Sequence, residues 1–172
     1  MRYIFILLLI ACSPHDFNSS TGKSTNLYKD HEIWSPKIVI SRGEQVVITS
    51  SSEKLTKNNN EDAILSGSVI TDFFNESGEH VSVLYSDTTA IDEYNNNFES
   101  YGHVTVKSDS GLTLKTNRII YDNRYRVVTS KDSVMFTTSQ LDTIYGVGFE
   151  SDMDLTNWRI DKPSGVTNHW LK

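Results

Sequence analysis

The sequence predicts an all-β domain of short antiparallel strands, and three observations predict it. From about Glu44 onward, runs rich in Val, Ile, Thr, Tyr and Phe alternate with turn residues. No stretch keeps apolar residues at helical spacing over three turns. A faint repeat of 30 residues aligns Leu84-Tyr85-Ser86-Asp87 with Leu114-Lys115-Thr116-Asn117, Ile91-Asp92 with Tyr121-Asp122, and Val104-Thr105-Val106 with Val134-Met135-Phe136. A strand-only repeat of this period suggests hairpins stacked along one axis, in a stack or open roll.

The expected strands, in order, are Glu44–Ser50, Ala63–Phe74, His80–Ser86, Thr88–Tyr94, Phe98–Lys107, Leu112–Tyr121, Arg124–Ser130, Asp132–Thr138, Leu141–Phe149 and Leu155–Asp161. Turn chemistry separates them. Asn75-Glu76-Ser77-Gly78 and Ser108-Asp109-Ser110-Gly111 end in the glycine that supplies positive φ, and Asp122-Asn123 is a short polar tip. Asn58-Asn59-Asn60 and Asn95-Asn96-Asn97 read as further tips. None of the three prolines falls inside an expected strand between Glu44 and Thr138.

Ahead of the strands, Arg2 and the apolar run Tyr3 to Ile10 have the charged-then-apolar order of a secretory leader. The run is much shorter than the ~20 residues that span a bilayer. Leu9-Ile10-Ala11-Cys12 resembles the lipobox of bacterial lipoproteins. That resemblance implies cleavage before Cys12, diacylglycerol on its sulfur and an acylated new N-terminus. Cys12 is the only cysteine of the chain, so it has no internal disulfide partner. Several acyl chains, at ~0.8 kcal/mol per buried methylene, make such an anchor effectively permanent. Ser13 to about Lys29 is rich in Ser, Thr, Asn and Gly and reads as a flexible tether. The division is therefore a leader at 1–11, a lipidated cysteine and tether at 12–30, and a β domain at 31–172.

The formal net charge is −6, and loss of Arg2 with the leader makes it −7, from 15 basic and 22 acidic side chains. A nucleic-acid partner needs a basic face, and a polybasic grip on an anionic membrane needs the same. Neither is expected. The histidines are His15, His31, His80, His103 and His169, and none is spaced to put two imidazoles on one metal. No nucleophile elbow or phosphate loop occurs. Glu150, Asp152 and Asp154 alternate after a glycine-containing strand, but without calcium-loop spacing they read as a solvated strand end or turn. The expectation is no enzyme, no metal and no cofactor.

Period-2 alternation places Val104 with Val106, Leu112 with Leu114, and Val134 with Phe136 on common strand faces. Such faces fill the core of most β proteins. In a roll that stays partly open they line a groove for acyl chains, and both readings stand at this point.

Three stretches carry a family resemblance. The first is Gly67-Ser68-Val69-Ile70-Thr71-Asp72-Phe73-Phe74-Asn75-Glu76-Ser77-Gly78, followed by Val83-Leu84-Tyr85-Ser86-Asp87 and Ala90. The second is Gly102-His103-Val104-Thr105-Val106, then Gly111-Leu112-Thr113-Leu114-Lys115-Thr116 and Ile120-Tyr121-Asp122. The third runs from Tyr145-Gly146-Val147-Gly148-Phe149-Glu150-Ser151-Asp152 through Trp158 to Ile160. From Ala63 to Ile160 the chain resembles the LptC family of lipopolysaccharide-export proteins, in the lipoprotein form of Bacteroidota-like bacteria. Many members have tryptophan where Tyr121 stands and alanine where Ser86 stands. Other branches hold the domain by a transmembrane helix.

The resemblance implies a twisted, open antiparallel β-jelly-roll in the periplasm, anchored to the inner membrane. It implies that the domain receives lipopolysaccharide from the ABC transporter of LptB, LptF and LptG and passes it to the bridge protein LptA. The residues expected to line the acyl-chain groove are the alternating pairs Val104 and Val106, Leu112 and Leu114, and Val134 and Phe136. For bridge docking by strand addition, Tyr145 to Ile160 is the expected open edge, with Gly146, Gly148, Phe149 and Trp158 at its centre. Two rivals remain. One is an outer-membrane lipoprotein serving as a β-rich binding or scaffold module without lipid cargo, which Ser13 after Cys12 favours under enterobacterial sorting. The other is an enzyme using Glu150, Asp152 and Asp154.

Overall fold

A computed structural model describes residues 31–58, 61–140 and 142–165. The leader, Cys12, the tether, Asn59, Asn60 and Leu141 lie outside the described residues. The described chain is all-β. Its strands are β1 (His31–Trp34), β2 (Lys37–Arg42), β3 (Gln45–Ser51), β4 (Lys54–Lys57), β5 (Ala63–Phe74), β6 (His80–Asp92), β7 (Asn97–Ser108), β8 (Thr113–Asp122), β9 (Val127–Thr137), β10 (Thr143–Asp152) and β11 (Arg159–Ser164). All join one antiparallel sheet in which β5 to β11 follow chain order. The other side of β5 is shared: Ile64–Ser66 pair with β4, and Ile70–Phe73 pair with β3. Beyond these lie β1 on β4 and β2 on β3. The sheet is not closed into a barrel, and it has the form of an open β-jelly-roll.

A line of irregularities crosses the whole sheet and bends it. The ladders shift register at Ser66/Val69, Tyr85/Thr88, Tyr101/Val104, Lys115/Ile120 and Val147/Phe149. Positive φ marks the same line, at Ser35 (50°), Gly67 (77°), Ser68 (46°), Gly102 (72°), His103 (44°) and Gly148 (81°). Bulges of this kind add local twist and turn a strand's direction. Long strands therefore run through two walls that meet at a crease. This explains one difference from the sequence expectation. His80–Ser86 and Thr88–Tyr94 are two parts of β6, and the expected break at Asp87 is the crease. The break between Ser130 and Asp132 likewise lies inside β9.

The bend also preserves the inward face. On β6 the buried positions are Ser82, Leu84 and Ser86 before the crease, then Thr89 and Ile91 after it. On β8 they are Leu114 and Thr116, then Ile119 and Tyr121. The parity changes at the bulge so that both walls turn apolar side chains inward. The walls then meet: the Phe73 ring on β5 lies 5.2 Å from the Tyr121 ring on β8, across non-adjacent strands. At the mouth opposite the crease, Ser82 donates a hydrogen bond to the Met153 carbonyl at 2.6 Å, and Arg126 pairs with Glu76 at 2.6 Å.

The 30-residue repeat has a structural counterpart in its turns. The Asp92 carboxylate accepts from the Tyr94 and Asn95 amides, and the Asp122 carboxylate from the Arg124 and Tyr125 amides. Each turn closes on a left-handed residue, Asn96 at φ 54° and Arg126 at φ 57°. Thirty residues on, Asp152 accepts from the Thr156 and Asn157 amides, in a longer loop where Leu155 takes the left-handed φ of 61°.

Candidate functional site

Among the expected groove residues, five form one patch on the inside of a single wall. Val106 pairs with Leu114, Leu114 with Phe136, Val104 with Thr116, and Val134 with Gly146. Val104, Val106, Leu114, Val134 and Phe136 are all buried, at 3% exposure or less. Leu112 differs. It precedes β8, lies in the turn where its carbonyl accepts from Ser108, and packs half-buried against the core rim. Thr105 and Met135 lie on the opposite face, where with Lys115 and Tyr145 they border a shallow hollow of 470 Å³. The inward and outward faces thus fall as alternation predicts.

The patch continues into aromatic packing. Phe136 lies 5.5 Å from Phe149 and 4.7 Å from Trp158, ring centre to ring centre. Truncating a buried aromatic such as Phe136 to alanine typically costs about 3–5 kcal/mol. Where the walls meet, the interior is lined by hydroxyls that satisfy one another. Ser50 bonds Thr71 at 2.8 Å, Ser86 bonds Thr89 at 3.0 Å, Thr89 bonds Ser100 at 2.8 Å, and Thr116 bonds Ser130 at 3.1 Å. Small hydroxyls suit a crease, since they fit a tight bend and satisfy one another or a nearby carbonyl, as Thr116 does with Ser133.

The expected docking edge is corrected by the pairing. β10 is covered on both sides, by β9 and by β11, with Gly146 opposite Pro163 and Phe149 opposite Ile160. Among the described residues the outermost strand on this side is β11, which begins at Arg159, four residues later than the expected start at Leu155. Gly146 and Gly148 admit β11. A Cβ on Gly146 would fall 2.9 Å from the Lys162 carbonyl and closer still to the Ile160 side chain. One on Gly148 would fall 2.6 Å from the Asp161 carboxylate. Phe149 is buried in the core, and Trp158 covers Phe136 from the loop before β11. These four residues seat the last strand and do not present a free edge.

Carboxylates gather at the mouth. Burial raises the Asp152 carboxyl, and hydrogen bonding with Asp154, with the Asn157 side chain and amide and with Ser151 outweighs it, so the group sits below the ordinary carboxylate value. Burial holds the Tyr121 phenol above its ordinary value, opposed by Arg126 and Arg42. Among the described residues no cluster of three or more His, Cys, Asp or Glu side chains is arranged to hold a metal ion. His80 lies against Asp109 and Asp72, and His103 against Asp87. Sequence reasoning missed Ser82, Met153 and Leu155, which close the mouth. Nothing local in the sequence marks them, because the contact joins β6 to a loop 71 residues away. No protein-family model and no curated protein matches this chain.

Proposed function

We propose that this chain is an LptC-like carrier in lipopolysaccharide export, held by Cys12 at the periplasmic face of the inner membrane. It would take lipopolysaccharide from the LptB, LptF and LptG transporter and hand it to LptA, with nucleotide hydrolysis left to the transporter. The observation that carries the reading is the apolar inner patch of Val104, Val106, Leu114, Val134 and Phe136 on a bent sheet whose end strands have no further pairing strand among the described residues. Moving acyl chains through water needs an apolar interior, and passing them between proteins needs strands that accept another chain's strand. β11 offers the edge for LptA, and β1 with β2 the edge for LptF and LptG. Site-specific photo-crosslinking in cells tests it. A photoreactive residue at Val106 or Phe136 should capture lipopolysaccharide, and one at Thr105 or Met135 should not. Equal capture from both faces rejects the groove.

The tight packing of the same interior favours a second reading, a β-rich binding or scaffold lipoprotein of the outer membrane without lipid cargo. Fractionation of the two membranes separates the readings.

A further inference from the structure

If the interior takes acyl chains, as the carrier reading holds, something that fills it must first leave. The core side chains of Val104, Val106, Leu114, Val134 and Phe136 are already packed, each at 3% exposure or less. The strands of the walls are poor candidates for displacement, since β5 to β10 are hydrogen-bonded on both sides. The loop between β10 and β11 is different. It buries Met153 at 8% and Leu155 at 0% exposure, yet neither residue belongs to a strand. Leu155 is held in a left-handed conformation, φ 61°, which a branched side chain adopts only at a cost. Its amide makes one main-chain bond, a long one of 3.3 Å to the Asp152 carbonyl.

The loop is internally braced. Asp152 and Asp154 both accept from the Thr156 amide, and Asp152 also accepts from the Asn157 amide. Its hydrogen bond to the facing wall is the one from Ser82 to the Met153 carbonyl, 2.6 Å. Beside that bond opens a hollow of 350 Å³ bordered in part by Val81, Tyr125, Val127 and Met153 and in part by the polar Asn75, Arg126, Asp152 and Asp154.

We propose that the Met153–Trp158 loop is a lid, and that an acyl chain enters the roll between Ser82 and Met153 by displacing it. Leaving the interior, Leu155 escapes its left-handed backbone, and Trp158 uncovers the Phe136 ring. The loop rearranges as it leaves, and the place that Met153 and Leu155 vacate is next to the wall patch.

The test uses the full chain and cis-parinaric acid, a fluorescent fatty acid. Ser82→Ala removes the cross-wall bond, and a bond of this kind converts to about a fivefold faster uptake. Leu155→Ala should tighten binding, because less side chain must be expelled. Hydrogen exchange on the parinarate-bound protein should show residues 153–158 deprotected while β7 to β9 stay protected. Binding with wild-type rates in both variants and an unchanged loop would overturn the lid and leave the carrier reading standing. Failure of every variant to bind parinarate would overturn both. Should Ser82→Ala not fold, the Leu155→Ala affinity and the exchange pattern of the unaltered chain decide alone.

Discussion

At one end of the sheet, β1 and β2 expose Ile33, Trp34 and Val39, at 53%, 70% and 52%. At the other, β11 reads Arg159-Ile160-Asp161-Lys162-Pro163-Ser164, with only Ile160 partly covered. Both are outermost among the described residues, but they differ in what they offer a neighbouring chain. Charges and proline on an outer strand are the usual means of discouraging strand addition, since proline donates no ladder bond. β11 has both. β2 has neither proline nor any charge between Lys37 and Arg42, and Pro36 sits in the bend before it. The amino-terminal edge is therefore the more adhesive, and the carboxy-terminal edge is guarded. A strand-docking carrier built this way would hold its β1–β2 partner firmly and its β11 partner transiently, which suits delivery.

The largest effect should come from breaking β11 off its inner neighbour. Gly146→Val puts branched carbons against the Lys162 carbonyl and the Pro163 Cα, 2.9 and 3.3 Å from even a first carbon. Backbone must move, so the loss belongs at the upper end of overpacking costs, about 3 kcal/mol. Urea denaturation measures it. A midpoint equal to wild type would mean that β11 contributes nothing to the fold. A smaller effect, with no change in stability, should come from the other edge. Trp34→Lys with Val39→Lys leaves the core untouched and should stay within about 0.5 kcal/mol. On the carrier proposal, capture of LptF and LptG should fall about tenfold or more, as for loss of exposed aromatic and aliphatic anchors. Undiminished capture would show that the apolar edge is not the adhesive one.

How far the sequence foretold this arrangement depends on how local each determinant is. β5 matches its expectation residue for residue, Ala63 to Phe74, because alternation and flanking turns fix it. The burial of Val104, Val106, Leu114, Val134 and Phe136 follows period 2, whereas Leu112, expected with them, lies in the turn before β8. The strands β1, β2 and β4 went unread: Ser35-Pro36 and Ser52-Glu53 cut short strands into pieces of four to seven residues. Those cuts are the crease again, and they resemble loop signals when seen one strand at a time. The edge was misassigned for a non-local reason. Leu155 looks like the first residue of a strand, but the core takes it, and the strand starts only at Arg159. Which strand covers β10 follows from that one burial.

The smallest effect should come from Asp152, and it sharpens the contrast between the ends because this carboxylate braces only the loop leading into β11. Its carboxyl lies below the ordinary 3.8 in the folded chain, with burial opposing and hydrogen bonding with Asp154, with the Asn157 side chain and amide and with the Ser151 hydroxyl prevailing. A carboxyl depressed on folding contributes stability that is fully present above its unfolded value. That contribution is lost as pH falls through the lower folded value. Asp152→Asn removes it at every pH. The variant should therefore be less stable than wild type at neutral pH by a small margin, since the group is largely solvated and screened. The margin should shrink as pH is lowered below 3.8 and the wild-type carboxylate takes up its proton. Hydrogen exchange at neutral pH should quicken across residues 153–164 in the variant and stay unchanged across β1 and β2. Faster exchange at both ends would mean that the two edges are coupled through the sheet, and that the guarded edge does not open independently of the adhesive one.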